Sequence, residues 1–202
     1  MDFRPPQVVQ LALEKMLAHG IYGYFGDDAE YLDAIRWWMQ NRHGWQVERN
    51  QIFTTHGLVN GTALCVDAFT KPGDCVILMT PVYHAFARII AAAGREVVEC
   101  QLANNAGRYE MDFDAWDAQM TGRETMLILC SPHNPGGRVW TEAELRGVAD
   151  FAKRHDLIVV SDEIHHDLVM PGNKLCVMAT ATPDIAVFFV NDTATTETFN
   201  IA

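Results

Sequence analysis

Four short stretches, residues 75–80, 96–101, 125–130 and 157–161, constrain this chain more than anything else in it. Each is rich in Val, Ile, Leu or Met and reads as apolar on both faces, the pattern of a parallel strand covered by helices on both sides. They recur roughly every 25 residues, with helical patterns between them near 59–69, 84–93, 111–120 and 141–155. Repeated β-α-β alternation predicts an α/β fold with a mainly parallel sheet sandwiched by helices. Two further helices are predicted upstream. Residues 6–19 carry an apolar stripe of Val9, Leu11, Leu13, Met16 and Leu17, ended by Gly20. Residues 29–42 place Leu32, Ile35, Trp38 and Met39 on one face. No internal repeat is visible.

The chain has 202 residues, 49% of them hydrophobic, enough for a sizeable core. Its formal net charge of −11 disfavours nucleic acid and anionic membranes as partners. No apolar run is long enough to span a bilayer, and the opening MDFRPPQ lacks the apolar core of a signal peptide. Five cysteines, at 65, 75, 100, 130 and 176, form no CxxC, so neither a metal site nor a disulfide framework is expected. Scattered apolar thiols of this kind point to core packing and a reducing, cytoplasmic setting.

In parallel sheets, ligands gather at the carboxyl ends of the strands. Four segments there, or at a helix start, carry candidate chemistry. The first is Thr55-His56-Gly57-Leu58-Val59-Asn60-Gly61, entering a helix. Free N–H groups at such a start can cradle a phosphate, although an ordinary helix-entry turn looks the same. The second is Pro81-Val82-Tyr83, whose ring could stack on a planar ligand or pack half-buried in the core. The third is Ser131-Pro132-His133-Asn134-Pro135-Gly136-Gly137. A rigid loop of this composition suits an Asn134 amide aimed at a ligand oxygen. The fourth is Ser161-Asp162-Glu163-Ile164-His165-His166, where Asp162 closes an apolar strand. A carboxylate there needs a cationic partner, such as a protonated ring nitrogen, or serves to cap the next helix.

Taken together, these segments resemble the class I/II aminotransferase superfamily, the fold-type I enzymes that use pyridoxal 5'-phosphate (PLP). Within it, SPHNPGGRVW and SDEIHHDLV are similar to the cystathionine β-lyase-like branch. The resemblance covers residues 1 to about 187 and 198–202. It implies the large domain of a fold-type I PLP-dependent transferase. It also implies roles: Gly57, Leu58 and Val59 at the phosphate, Tyr83 stacked on the pyridine ring, Asn134 at the ring's 3-oxygen and Asp162 at the ring nitrogen. His165 stands where most aminotransferases carry tyrosine, which favours the lyase branch. Tyr24 resembles a tyrosine that reaches the phosphate of a neighbouring subunit, so a homodimer acting on a small amino-acid substrate is implied. The expected division is an N-terminal helix and arm at 1–28 and an incomplete PLP-binding domain at 29–202, with the family's C-terminal small domain absent.

One position breaks the pattern. The family places a Ser-Lys pair before Thr-Phe-Asn-Ile-Ala, and that lysine forms the Schiff base and moves the Cα proton. Here Thr198 to Ala202 are preceded by Thr196 and Glu197. The four lysines, Lys15, Lys71, Lys153 and Lys174, fall on predicted exposed helix or turn positions. Residues 191–197, NDTATTE, resemble no family segment. They equal the translation of AATGATACGGCGACCACCGAG, the start of a common sequencing-adapter oligonucleotide. Two readings stand: a reading frame overwritten at this point, or a lysine-free variant. Either way, this chain is expected to be inactive as written and, lacking its dimer arm and second domain, prone to aggregate. Its family function is expected to be PLP-dependent carbon–sulfur β-lysis, with transamination, or a lysine-free non-catalytic module, as alternatives.

Overall fold

A computed structural model describes residues 4–24 and 26–183, and the backbone of 187–190. Residues 1–31 and 32–202 form two compact units. The first holds α1 (Gln7–His19), closed by Gly20 at φ 70°, whose N–H donates to Met16 O. None of the residues of α1 is buried, so the predicted apolar stripe exists but stands exposed. The next helix, α2 (Ala29–His43), buries Leu32, Ile35 and Met39. Trp38, read as part of that apolar face, is instead half-buried, and its indole N–H donates to Asp167 Oδ2 at 2.8 Å. An indole carries a polar edge, which here decides how the ring sits.

The second unit is an α/β layered structure. Its elements are α3 (Leu58–Phe69), β1 (Cys75–Leu78), α4 (Ala85–Ala92), β2 (Glu96–Glu99), β3 (Ala103–Asn105), β4 (Arg108–Glu110), α5 (Phe113–Asp117), β5 (Glu124–Cys130), α6 (Glu142–Arg154), β6 (Ile158–Asp162), α7 (Met178–Ala181) and β7 (Val187–Val190). The main sheet runs β2-β1-β5-β6-β7 with every neighbouring pair parallel. All its strands therefore end on one edge, and Cys130 sits beside Asp162 there.

Burial explains why the central strands lack an alternating pattern. Val76, Leu78, Met126, Ile128 and Val160 pack under α3 and α4 with Leu58, Phe86 and Ile90. The alternate residues Ile77, Leu127, Leu129 and Val159 are equally buried, so the opposite face is covered as well. β2 departs from the expectation of two covered faces. It is an edge strand whose two glutamates are exposed. The small antiparallel hairpin β3–β4 was not predicted. Its strands span three residues each and are largely exposed, so no apolar period marks them.

α6 shows how local sequence fixes an element. Thr141 and Glu144 form a reciprocal capping box, and Glu142 and Glu144 load the first turn with negative charge. Leu145, Val148, Ala149 and Ala152 then recur at helical spacing and are buried. Gly147 lets Phe113 lie against the helix: a Cβ there would fall 2.6 Å from the Phe113 ring.

Candidate functional site at the carboxyl edge of the sheet

Three adjacent strands deliver the candidate residues. After β1, a cis Thr80–Pro81 peptide leads to Tyr83, which is half-buried. Its ring meets Phe86 at 5.6 Å and 88°, and Tyr83 O accepts the Phe86 N–H at 3.2 Å.

After β5, the loop bearing Asn134 contains two more cis peptides, Ser131–Pro132 and Asn134–Pro135. It is held from several sides. Ser131 N–H donates to Asp162 O at 2.8 Å, tying the ends of β5 and β6. His133 Nε2 lies 2.8 Å from Pro81 O, tying the β5 loop to the β1 loop. A carbonyl only accepts, so Nε2 carries the proton. Nδ1 is then a buried lone pair, and among the described residues it has no partner. Burial pushes the His133 pKa below the ordinary histidine range, in keeping with a neutral ring. Asn134 N–H donates to Cys130 Sγ at 3.3 Å. The buried Trp140 donates its indole N–H to Cys130 O at 2.9 Å. Gly136 is required by crowding, since a Cβ there would meet His133 at 2.7 Å and Tyr109 at 2.9 Å.

After β6, Asp162 is 3% exposed and its Oδ1 accepts the Ile164 N–H at 3.1 Å. No helix follows, so the helix-cap reading of Asp162 is replaced by a side chain-to-backbone turn. Glu163 beside it is fully buried. Its Oε1 accepts Ser161 Oγ–H at 2.9 Å and Met178 N–H at 3.0 Å, while Oε2 is buried without a partner among the described residues. Burial pushes its pKa up to about 8, so Glu163 is a neutral acid that ties β6 to α7.

This has a pH consequence. The folded pKa, about 8, lies above the ordinary value of 4.5, so the folded state binds the proton more tightly. The contribution of Glu163 to stability is complete below the ordinary value and is lost as pH rises towards 8. Urea midpoints should fall between pH 5 and 8 with a Glu163-linked slope of up to about 1.4 kcal/mol per pH unit. Glu163→Gln, which keeps the acceptor oxygen, should flatten that slope. Identical slopes in both proteins would contradict the assignment.

The start of α3 supplies donors. Gly57 adopts φ 83°, a conformation that favours glycine, and offers no side-chain cap. Helix geometry leaves the N–H groups of Leu58, Val59 and Asn60 without intrahelical partners. Leu58 is buried in the cluster that contains Cys130 and Val160, with Tyr83 and Ile164 packed against it. Tyr83, Asn134, Asp162 and the α3 start thus border one set of core residues.

His165 is half-buried, and burial lowers its pKa. It lines a cavity of about 390 Å³ with Pro132, His133, Arg138, Leu168 and Met170. A cavity of about 990 Å³ lies instead beside the β3–β4 hairpin and is lined by none of the expected cofactor contacts. Tyr24 belongs to the 1–31 unit and is fully exposed. Glu197 lies outside the described residues. The clamping roles of Cys130, Trp140 and Glu163 were not foreseen. The adjacency of Glu163 to Asp162 in a buried strand end was the available signal.

Comparison with known proteins fits this geometry. Residues 2–199 match the family described as aminotransferase class I and II. The cystathionine β-lyase PatB of Bacillus subtilis is 40% identical over 203 residues, covering 100% of this chain and 52% of that protein. The MalY protein of Escherichia coli is 32% identical, covering 84% of this chain and 44% of its own length. Among solved structures, cystalysin from Treponema denticola, which contains a pyridoxal 5'-phosphate cofactor, superposes with a TM-score of 0.92 at 34% identity, covering 100% of this chain and 54% of that one. The chain thus spans about half the length of the relatives it matches. It has the parallel sheet flanked by helices of a fold-type I PLP enzyme, and it belongs to the aminotransferase class I and II family.

Proposed function

We propose that this chain is the cofactor-binding domain of a PLP-dependent carbon–sulfur β-lyase acting on cystathionine-like amino acids, left without its covalent cofactor link by Glu197. The observation that carries the reading is the buried Asp162 carboxylate at the end of β6, paired in register with Cys130, which accepts the Asn134 N–H and belongs to the same cluster as Leu58 at the uncapped α3 start. These residues fit PLP. An uncapped helix start suits a phosphate, and a carboxylate held at 3% exposure suits a protonated ring nitrogen.

In this reading the N–H groups of Leu58 and Val59, with Gly57 before them, bind the phosphate. Tyr83 orients the ring by stacking. The Asn134 amide donates to the ring oxygen, and the loop clamped by Trp140 holds that amide in place. Asp162 keeps the ring nitrogen protonated. His165 faces a ring substituent, and Tyr24 completes the phosphate site of a second subunit in a homodimer. PLP, when bound, supplies an electron sink for the electrons released as a substrate Cα–H bond breaks. A lysine amine would hold the cofactor covalently and move that proton. The Glu197 carboxylate can do neither, so the chain binds the cofactor without turning substrate over.

The test uses Glu197→Lys in a chain that also carries the additional length of its relatives. Given cystathionine, a β-lyase releases pyruvate, ammonia and a thiol. Transamination, the reading the family name itself favours, yields a keto acid and leaves the cofactor as its amine. Keto acid without thiol would replace the lyase assignment. No product from either route would favour a lysine-free module without catalysis.

A further inference from the structure

We infer that His43, His166 and Asp167 form a binding site for one divalent transition-metal ion, independent of the PLP reading. The three come from two distant segments, the last residue of α2 and the turn after β6. One ligand atom from each lies within 4.8 Å of the others. His43 Nε2 stands 3.1 Å from Asp167 Oδ1, and His166 Nε2 stands 3.1 Å from Asp167 Oδ2. The two imidazole rings meet edge to face at 4.5 Å.

The decisive feature is His166, which is 3% exposed. Its Nδ1 lies 2.7 Å from Glu163 O, and since a carbonyl only accepts, Nδ1 carries the proton. In the neutral ring, Nε2 then presents a lone pair. That atom is buried and, among the described residues, has no hydrogen-bond partner, although a carboxylate oxygen lies 3.1 Å away. A lone pair facing a carboxylate oxygen is unfavourable unless a proton or a metal cation lies between them, and a metal ion would in addition draw in His43 Nε2 on the other carboxylate oxygen. A backbone carbonyl that fixes the imidazole tautomer so that Nε2 is free is the usual support of a metal-ligating histidine.

The surroundings are of the same kind. Trp38 N–H donates to Asp167 Oδ2 at 2.8 Å and orients the carboxylate. Arg42 carries a charge that opposes a cation, at 3.9 Å from Asp167 Oδ1; it is half-exposed and lies over the Trp38 ring at 5.0 Å. Two imidazoles and one carboxylate with open positions suit Zn²⁺ and its first-row neighbours rather than Ca²⁺ or Mg²⁺. A bound ion would staple α2 to the segment that also carries Asp162 and His165. The sequence gives little sign of the site, because its ligands lie 123 residues apart with no CxxC.

The test is titration of the purified protein with Zn²⁺, and with Co²⁺ as a spectroscopic probe. One equivalent should bind, and the thermal midpoint should rise. His166→Asn, which keeps a donor for Glu163 O but removes the Nε2 lone pair, should weaken binding at least tenfold. His43→Asn, on a different element, should do the same, so the result does not hang on one variant folding. His155→Asn removes a histidine that pairs with Asp117 at 2.6 Å, and it should leave binding unchanged. The Co²⁺ spectrum should lack a thiolate charge-transfer band. Failure to bind, affinity in the His43 and His166 variants equal to that of the unaltered chain, or a thiolate band would each overturn the proposal.

Discussion

Borohydride treatment of this chain after incubation with PLP should leave its mass unchanged, whereas Glu197→Lys should gain one reduced cofactor per chain. Glutamate has no nucleophilic amine, and the four lysines, Lys15, Lys71, Lys153 and Lys174, are all exposed side chains rather than buried ones. The catalytic consequence is large. Loss of a positioned proton-transfer group alone costs about 10²–10⁴-fold in rate, and loss of the covalent link adds to it. Intact-mass spectrometry reads the result directly. A cofactor adduct on the unaltered chain, at any lysine in defined stoichiometry, would show that another amine serves. No adduct on Glu197→Lys would show that position 197 is not where the link forms.

Trp140→Ala should be the most damaging single change to the Asn134 loop, costing about 3–5 kcal/mol in urea unfolding. The ring is fully buried, its N–H bonds Cys130 O at 2.9 Å, and Arg138 covers it at 4.5 Å. Arg138 in turn pairs with Glu144 of the α6 capping box and with Tyr109 O. Removing the indole therefore loosens β5, the loop and the start of α6 together. Trp140→Phe keeps most of the packing and loses the hydrogen bond, so its cost should be nearer 1 kcal/mol plus the cost of an unsatisfied carbonyl. An alanine variant within 1 kcal/mol of the unaltered chain would mean that the loop does not depend on this ring.

What could be read in advance follows from where water is excluded. β5 and β6 are buried on both faces, so their unbroken apolar runs were legible. α6 was legible from its capping box and its period. β3 and β4 were not, because three-residue exposed strands carry no pattern beyond the turn at Ala106 and Gly107, both at positive φ. β7 was missed as well, and its side chains lie outside the described residues. At the site, the residue types that bind ligands were visible as motifs. The residues that position them were not. Trp140 acts through a bond to a backbone carbonyl ten residues earlier, and Cys130 receives Asn134 N–H while reading as simple core. Cys65, Cys75, Cys100 and Cys130 are buried as expected, whereas Cys176 is half-buried.

Equilibrium titration of this chain with PLP, followed in parallel with Asp162→Ala, tests the cofactor site most directly. One saturable, non-covalent site per chain is expected, competed by inorganic phosphate and weakened at least tenfold in Asp162→Ala. Absence of saturable binding, or binding indifferent to Asp162, would contradict the assignment.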